Sequence, residues 1–459
     1  VRLREETEVM KRTFVFLACA GALLLAGCTS ESSLPNPTGK GVVRAIHAIP
    51  GATDVTFKIE ERSLGNLDYK QSSPPARYDD FEYSFNFDIF VPDSRDPVRV
   101  ASVTQKIDVD REYVFALSGT VDTPTVTTWI TDLRQWDGTE TVFEARFAHL
   151  SASLGDIDVY YDDPANPPSA ANLVATLSPG DITDIANFEA GTYVITVTAA
   201  GDPNRVPVYT SPDLNYNAQE SSVVSVFDGN ENDTAPYIVG ISATSGLFVR
   251  LPDVSVPPAV RFVHGALTLD NVDVYNDETL TSQVTSNVVF GTSTTDFPGS
   301  IDATTYYFTP AGSTATTLFN SAPITQLAGT NAEFYLIGDT DEWLALFLTQ
   351  NRASVSTGAK ISILNGSVNQ PTFDLYIKER DDPLVEEDIL TFPRVLFSLS
   401  SPQLQRVAGG YDIYLTEPGT KNEIAGPYPL DVALGDVVFL LAVDNVDPSI
   451  VDIVDVSVP

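Results

Sequence analysis

The chain has 459 residues, a length that corresponds to three or four domains of ordinary size. Its 62 acidic and 26 basic side chains give a net charge of −36, so its surface repels phosphates and we exclude nucleic-acid binding. Hydrophobic residues make up 43% of the chain and charged residues 19%, proportions that are typical of folded domains and not of disordered chains.

The amino-terminal segment carries the features of a targeting signal. Two basic residues precede an apolar stretch that is short for a membrane span, and L-A-G-C follows at 25–28. The segment resembles a bacterial lipoprotein signal peptide with its lipobox, which implies removal of residues 1–27 and lipidation of Cys28. We expect translation to begin at Met10, the only methionine. Thr29 after the cysteine implies delivery to the outer membrane if the host is Gram-negative. The alternatives are an uncleaved anchor helix or a chance match.

Beyond the lipidated cysteine and a polar tether at 28–40, the chain repeats one plan four times. Each histidine lies three residues after an arginine, in V-R-A-I-H, A-R-F-A-H and V-R-F-V-H. Nine residues after the histidine the second and third copies read D-V-Y, and the fourth copy has D-L-Y at this offset from an asparagine. The positions that mark the repeats are His47, His149, His264 and Asn365, with Asp158, Asp273 and Asp374.

Hydrophobic residues alternate with a period of two within each repeat, and Gly, Pro, Asn and Asp interrupt the pattern every eight to twelve residues. This predicts six or seven short strands per repeat, which fit a two-sheet sandwich. The sequence therefore predicts an all-β protein of four tandem immunoglobulin-like β-sandwich domains after a lipoprotein signal peptide. The short joints between the repeats predict an extended rod. The predicted domains are 41–140, 141–254, 258–352 and 358–459.

The repeated pattern of V-R-x-x-H, D-V-Y and G-T-Y resembles a domain-of-unknown-function family. That family occurs, often in tandem, in bacterial lipoproteins and secreted envelope proteins. The second and third copies match its pattern most closely, whereas the first departs from it at Thr56 and the fourth at Asn365. The resemblance implies an extracytoplasmic β-sandwich and transfers no catalytic residues.

The histidines can be interpreted as structural or as catalytic. In a strand each shares a face with the residue two positions earlier, which is Ala45, Phe147 or Phe262, so the imidazole points inward. Asn365 can make the hydrogen bonds of a buried imidazole, but it cannot act as a general base. The chain also contains no G-x-S-x-G motif, and one histidine per repeat does not supply a zinc site. We therefore favour a structural role and predict that the protein is not an enzyme.

Acidic loops in corresponding places of copies two, three and four are candidate calcium sites. D-G-N-E-N-D, D-T-D-E and D-N-V-D supply the carboxylate and amide oxygens that calcium prefers. The same residue types are favoured in hairpin turns, and none of the loops completes a twelve-residue calcium motif, so we favour turns. No other cofactor is expected. The candidate calcium ligands are Asp228, Asn230, Asp233, Asp339, Asp341, Asp444 and Asp447.

Tryptophans are the candidate sugar-stacking residues. Trp129 and Trp343 lie in or beside predicted strands, which favours the core, whereas Trp136 lies in the joint R-Q-W-D-G and is the surface candidate.

Together these patterns favour a lipid-anchored cell-envelope protein with a structural, adhesive or ligand-presenting role. The alternatives are a carbohydrate- or peptide-binding surface module and, less favoured, a hydrolase. The expected partners are the membrane, through the amino-terminal lipid, and an unidentified envelope or extracellular protein or glycan.

Overall fold

The structure is a computed structural model that describes residues 36–458 apart from 93, 95 and 340–342. The predicted signal peptide, Cys28 and Asp341 lie outside the described residues. All elements assigned in the described part of the chain are β-strands, which form eight sheets. The predicted all-β, multi-domain fold is therefore confirmed. No helix among these residues could cross a membrane.

The strands fall into four groups, each of which forms two facing sheets. Domain 1 contains β1 (Lys40–His47), β2 (Val55–Ile59), β3 (Arg62–Leu67), β4 (Gln71–Ser72), β5 (Ala76–Asp79), β6 (Glu82–Ile89), β7 (Val98–Lys106), β8 (Arg111–Gly119) and β9 (Pro124–Asp132). Domain 2 contains β10 (Val142–His149), β11 (Ile157–Asp162), β12 (Leu173–Leu177), β13 (Ala186–Glu189), β14 (Gly191–Ala199), β15 (Pro207–Thr210), β16 (Leu214–Tyr216), β17 (Ser221–Asp228), β18 (Tyr237–Ala243) and β19 (Phe248–Leu251).

The second half of the chain repeats this arrangement. Domain 3 contains β20 (Ala259–Ala266), β21 (Val272–Tyr275), β22 (Gln283–Val288), β23 (Thr292–Ser293), β24 (Phe297–Pro298), β25 (Tyr307–Pro310), β26 (Phe319–Asn320), β27 (Asn331–Gly338) and β28 (Leu344–Leu348). Domain 4 contains β29 (Ala359–Asn365), β30 (Thr372–Glu379), β31 (Phe392–Leu396), β32 (Leu404–Arg406), β33 (Gly409–Thr416), β34 (Glu423–Val432), β35 (Val437–Asp444) and β36 (Val451–Asp455).

One strand order recurs in all four domains. In domain 1 the order is β4-β1-β8-β9 in the sheet that carries the histidine, which we call the first sheet, and β3-β2-β6-β7 in the second sheet. The histidine or asparagine strand pairs in parallel with a strand from the far end of the same domain. Parallel pairing of these two strands brings the start and the end of each domain together, so both contribute to any surface on the first sheet.

Each sandwich encloses its own apolar core. In domain 1 the side chains of Phe57, Phe85, Phe87 and Phe115 stack between the sheets, with ring centroids 4.4–6.0 Å apart. The core of domain 4 is aliphatic instead, with Ile361, Ile363 and Leu440 among its members. Such cores support each sandwich in the described chain, where no disulfide contributes.

The outer faces of the first sheets are apolar as well, and they pack against each other. Ile46 and Ala116 of domain 1 belong to one buried cluster with Leu150 and Phe227 of domain 2. β1 is consequently buried at seven of its eight positions, because both of its faces are covered. The predicted extended rod is therefore wrong for the first two domains, which lie sheet against sheet.

Domains 3 and 4 pack in the same way. Val263 and Ile337 of domain 3 share a buried cluster with Leu441 and Val443 of domain 4. Polar contacts of the loop at 230–234 connect the two pairs; for example, the backbone N–H of residue 234 donates to the carbonyl oxygen of residue 329 at 2.9 Å. The molecule is a cluster of two sandwich pairs.

Candidate functional site

The three histidines are buried at the ends of their strands, where they hold the loop that follows. Nε2 of His149 and His264 donates to the carbonyl oxygen six residues later, at 2.9 and 3.1 Å. Nδ1 of His47 and His264 accepts from the backbone N–H two residues later, at 3.3 and 3.4 Å. Burial lowers the pKa of His47 to about 4 and also lowers that of His264, so both imidazoles are neutral at pH 7.

Asn365 makes the same two kinds of hydrogen bond in domain 4. Its Nδ2 donates to the carbonyl oxygen of Gln370 at 3.0 Å, and its Oδ1 accepts from the N–H of Ser367 at 3.0 Å. His264 and Asn365 thus both donate and accept, whereas His47 only accepts and His149 only donates. A neutral imidazole and an amide can each provide both functions. This geometry supports the structural interpretation of the repeated position.

The repeated aspartates connect the second strand of a domain to a hairpin turn. The buried carboxylates of Asp158, Asp273 and Asp374 each accept from the N–H of a turn glycine, at 2.9, 2.9 and 2.7 Å. The φ angles of these glycines lie between 70° and 74°, in the left-handed region that favours glycine. Domain 1 has Thr56 at this position. The glycines are Gly201, Gly312 and Gly419.

Two of the candidate calcium ligands hold loops within their own domains. Asp228 accepts from the N–H of residue 152 at 2.8 Å and from two serine hydroxyls of the loop at 151–153. Asp444 accepts from the hydroxyl of Ser367 at 2.5 Å and from the N–H groups of residues 368 and 369. Their oxygens thus face protein donors in the loops that follow His149 and Asn365.

The remaining candidate ligands are dispersed. Asp233 forms an ion pair with Lys70 of domain 1, and it accepts from the N–H of Asn230 at 2.9 Å. Asp447 accepts from the N–H and the hydroxyl of Ser449 within its own loop. Asp339 follows β27 in domain 3. Among the described residues, no group of three or more His, Cys, Asp or Glu side chains is placed to hold a metal ion.

The arginine that precedes the histidine by three residues lies on the opposite face of the strand, in the interface between paired domains. Arg44 donates through Nη1 to the hydroxyl of Ser242 in domain 2 at 2.6 Å and to the carbonyl oxygen of residue 243 at 3.1 Å. Arg261 donates equivalently through Nη1 to the carbonyl oxygen of Val456 in domain 4 at 2.8 Å. Sequence reasoning missed this role, although a charged residue within an apolar strand was its signal.

The first two domains separate at the arginine end of their interface and leave a cleft of about 530 Å³. Four arginines line this cleft although the chain carries a net charge of −36. Two are on strands of domain 1, one is on the joint and one is on β10. They are Arg44, Arg77, Arg134 and Arg146.

Only two of the four arginines pair with carboxylates of the cleft. Nε of Arg44 lies 2.9 Å from Glu112, and Nε of Arg134 lies 3.3 Å from Glu144. Arg146 donates through Nε to a backbone carbonyl oxygen at 2.9 Å. Within the part of the chain that the structure describes, neither Arg77 nor Arg146 has a carboxylate within 4.0 Å. The cleft therefore holds two guanidinium groups without a direct counter-ion.

Among the described residues, four buried polar atoms of the cleft lining lack a hydrogen bond: Nε and Nη2 of Arg44, Oε1 of Glu112 and the hydroxyl of Ser222. Nε of Arg44 and Oε1 of Glu112 lie 2.9 Å apart as an ion pair. Burial lowers the pKa of Arg44, and the neighbouring Glu112 opposes this effect. The equivalent Arg261 differs, because its Nε and Nη2 both reach Glu333, at 3.0 and 2.8 Å. Both arginines are therefore ion-paired with a carboxylate, Arg44 through Nε alone and Arg261 through Nε and Nη2.

The equivalent cleft between domains 3 and 4 has a similar volume, about 600 Å³, but the opposite charge. Arg352 lines it and is paired both with Asp296, at 2.9 Å, and with Glu333, at 3.1 Å. The remaining charged residues of this lining are acidic, so the two clefts differ mainly in electrostatics. These acidic residues are Glu231, Asp431, Asp436 and Asp455.

The tryptophans lie in three different environments. Trp129 is 4% exposed and belongs to the cluster between domains 1 and 2. Trp343 packs against the core of domain 3 and donates to the hydroxyl of Thr268 at 3.1 Å. Trp136 is half-buried at the cleft, with the guanidinium of Arg134 4.5 Å from its ring centroid. Trp136, between domains 1 and 2, thus contributes to the arginine-lined cleft of the first pair.

Comparison with solved structures finds a similarity to the Bacillus anthracis TIE protein, with 10% sequence identity. The similarity covers 89% of this chain and 69% of that chain, with a TM-score of 0.15. No curated protein matches the chain.

The sequence profile described as "Domain of unknown function (DUF4397)" matches residues 41–160 and 258–376, which together make up more than half of the chain. Each match begins at the first strand of an odd-numbered domain and ends at the D-V-Y or D-L-Y of the next domain. The resemblance noted from the sequence is thereby confirmed, and the chain belongs to the DUF4397 family, of which it carries tandem copies.

Proposed function

We propose that this protein is a lipid-anchored, non-catalytic component of a bacterial cell envelope, with a structural, adhesive or ligand-presenting role. One observation carries the proposal: the polar residues that recur in the domains are engaged in hydrogen bonds that hold loops. A residue that must hold a loop in every copy is not free to act on a substrate. Recognition then falls to surfaces that the copies do not share.

The lipid anchor rests on the sequence L-A-G-C at 25–28 and on the basic and apolar residues before it. A single lipidated cysteine at the end of a polar tether would place the sandwich pairs beside the membrane. The acidic surface would keep them from adhering to anionic headgroups. The outer membrane is the proposed location in a Gram-negative host.

The anchor is tested by expressing the full chain and its Cys28→Ser variant in a bacterium that processes lipoproteins. We expect the native chain to incorporate radiolabelled palmitate and to enter the detergent phase of a Triton X-114 extract. The Cys28→Ser variant should do neither. A variant that still enters the detergent phase would contradict lipid anchoring through this residue.

A carbohydrate-binding module is the second candidate function, and the cleft between domains 1 and 2 favours it. The cleft combines a half-buried tryptophan with arginines and several hydroxyl and amide side chains. Pockets of roughly 300–1,000 Å³ are typical of small-ligand sites. A glycan array probed with the mature chain carrying Cys28→Ser tests this candidate. Absence of binding to every glycan would exclude it and leave a structural or adhesive role.

A further inference from the structure

We propose that the cleft between domains 1 and 2 binds an acidic saccharide, with the carboxylate of a uronic acid held by Arg44, Arg77 and Arg146. This inference rests on the carbohydrate-binding role proposed above and specifies its ligand.

The charge of the cleft is the first support. Arg77 is exposed, and Arg146 uses Nε for a backbone carbonyl, so the remaining N–H groups of both arginines are available to a ligand. In a chain of net charge −36, anions are repelled at long range but attracted once inside a cleft lined by arginines. Guanidinium groups bind carboxylates through two parallel hydrogen bonds, which makes a carboxylate the best-matched anion.

The unpaired Nη2 of Arg44 is the second and independent support. Arg44 is 1% exposed, and Nη2 has no partner among the described residues. In domain 3 the residue directly opposite the arginine is Glu333, whereas in domain 1 it is Val114. In domain 1 the carboxylate comes instead from Glu112, two residues earlier on β8, which lies 2.9 Å from Nε of Arg44. Arg44 is therefore charge-paired, but its Nη2 still lacks an acceptor, which a ligand carboxylate would supply.

The neutral part of the lining favours a saccharide over a simple organic acid. Hydroxyl and amide groups can bind the hydroxyls of a sugar ring, and the indole of Trp136 offers an apolar surface for the ring face. The hydroxyl and amide side chains of the lining are those of Thr131, Gln135, Gln219, Ser221, Ser222, Thr244 and Ser245.

The cleft between domains 3 and 4 provides an internal comparison. It has a similar volume, but Arg352 is already paired with Asp296 and Glu333, and the other charged residues are acidic. An anionic ligand would meet five carboxylates and one arginine there, and that arginine already has two carboxylate partners. We therefore expect one acidic saccharide to bind per chain, in the cleft of the first pair.

The inference is tested by isothermal titration calorimetry on the mature chain carrying Cys28→Ser. The probes are trigalacturonate and its neutral counterpart, β-1,4-linked galactotriose. We expect a stoichiometry of one, affinity for trigalacturonate at least tenfold higher than for the neutral trisaccharide, and weaker binding as the salt concentration rises. Binding should also change the fluorescence of Trp136, which Trp136→Phe would remove.

The Arg77→Gln variant is the main test of location, because Arg77 is exposed and its substitution does not disturb the interface. We expect it to weaken trigalacturonate binding at least tenfold and Arg146→Gln to do the same. Arg62→Gln is the matched control, since Arg62 is exposed on the second sheet of the same domain. It should leave the affinity unchanged.

Each contrary outcome is distinguishable. Equal affinity for both trisaccharides would retain a carbohydrate-binding role but overturn the carboxylate proposal. Unchanged affinity in Arg77→Gln and Arg146→Gln would overturn the assignment to this cleft. Absence of binding to both probes would overturn the inference, and the glycan array would then decide the carbohydrate-binding role separately. The palmitate experiment on Cys28 is independent of all these results.

Discussion

At the residue scale, the histidine position is defined by hydrogen bonding and not by acid–base chemistry. The side chain donates to the loop that follows, accepts from an N–H two residues later, or does both, as His264 does. Asn365 meets the same requirement without a titratable group. A buried histidine in this position makes the stability of the domain depend on pH, however, because its imidazole resists protonation in the folded state.

The first prediction concerns how the stability of the His47→Asn variant depends on pH. Burial lowers the pKa of His47 from 6.5 to about 4, so the unfolded chain takes up a proton between these values and the folded chain does not. The free energy of unfolding should therefore fall as the pH decreases from 6.5 to about 4, by about 3 kcal/mol at most from this group. We expect His47→Asn to remove this contribution.

Urea unfolding of both proteins at pH 7 and pH 4.5 measures the effect, because carboxylates contribute equally to both and cancel in the comparison. His47→Ala is the control, since it removes the titration together with the hydrogen bond from the N–H of Ile49 and should be destabilised at either pH. An identical pH dependence in the native chain and His47→Asn would contradict a buried neutral imidazole.

The second prediction concerns the aspartate that joins a strand to a glycine turn. In domain 4 the carboxylate of Asp374 accepts from the N–H groups of Arg394, at 2.8 Å, and Gly419, at 2.7 Å. Asp374→Ala should leave both donors without an acceptor and cost about 2–4 kcal/mol of unfolding free energy. Glu386→Ala, at an exposed turn position of the same domain, is the control. Equal melting temperatures for the two variants would show that the hydrogen bonds of Asp374 do not stabilise the domain.

At the element scale, the first strand of each domain has two buried faces with different functions. In β1 the inner face contributes Val43 and Ala45 to the core of domain 1, and the outer face contributes Ile46 to the interface with domain 2, where Ala48 joins it just after the strand. A strand with alternating apolar and polar residues normally exposes one face to solvent. Here the intervening residues are apolar too, so the second face is also buried. Only the arginine interrupts this outer surface, and it is neutralised within the interface.

This arrangement explains which features the sequence could predict. The period of two and the turn residues are local, so they sufficed for the strands, the all-β class and the inward direction of His149. Tertiary packing determines which domain covers the outer face of the first sheet, and the sequence periodicity contains no information about that packing. The rod was therefore expected in error. The cleft was also missed, apart from Trp136, since Arg44 and Arg146 come together only through domain pairing.

The third prediction tests the outer face of the first sheet. Ala148 of β10 is 0% exposed and lies in the cluster between domains 1 and 2. Ala148→Asp would place an unpaired charge in this cluster, and we expect it to destabilise the pair by about 3 kcal/mol or more. Ala171→Asp, an exposed position of the same domain, should have little effect. Limited proteolysis and thermal unfolding would show the difference, and equal protease resistance in both variants would contradict the packing.

At the scale of the whole molecule, the repeating structural unit is the pair of domains. Arg44 and Arg261 reach across to equivalent points of their partners, while Asp228 and Asp444 occupy equivalent places in the even-numbered domains. The DUF4397 profile follows the same division, because each match extends from an odd-numbered domain into the first two strands of the next. The two pairs then diverge in charge at their clefts, which allows one pair to bind an anion while the other does not.

The pair as the stable unit gives the last prediction, on fragments of the chain. Domain 3 alone, 258–356, would expose Val263 and Ile337 to water and leave Arg261 without the carbonyl oxygen of Val456. We expect it to melt about 10 °C or more below the fragment 258–458, or to aggregate, because the apolar interface would be lost. The fragment 36–257 should melt close to the intact chain, since the described contacts between the pairs are mainly hydrogen bonds at the surface and none of the buried apolar clusters spans both pairs. Circular dichroism and size-exclusion chromatography measure both outcomes. A third domain that is monomeric and as stable as the fragment 258–458 would show that the domains, and not the pairs, are the independent units.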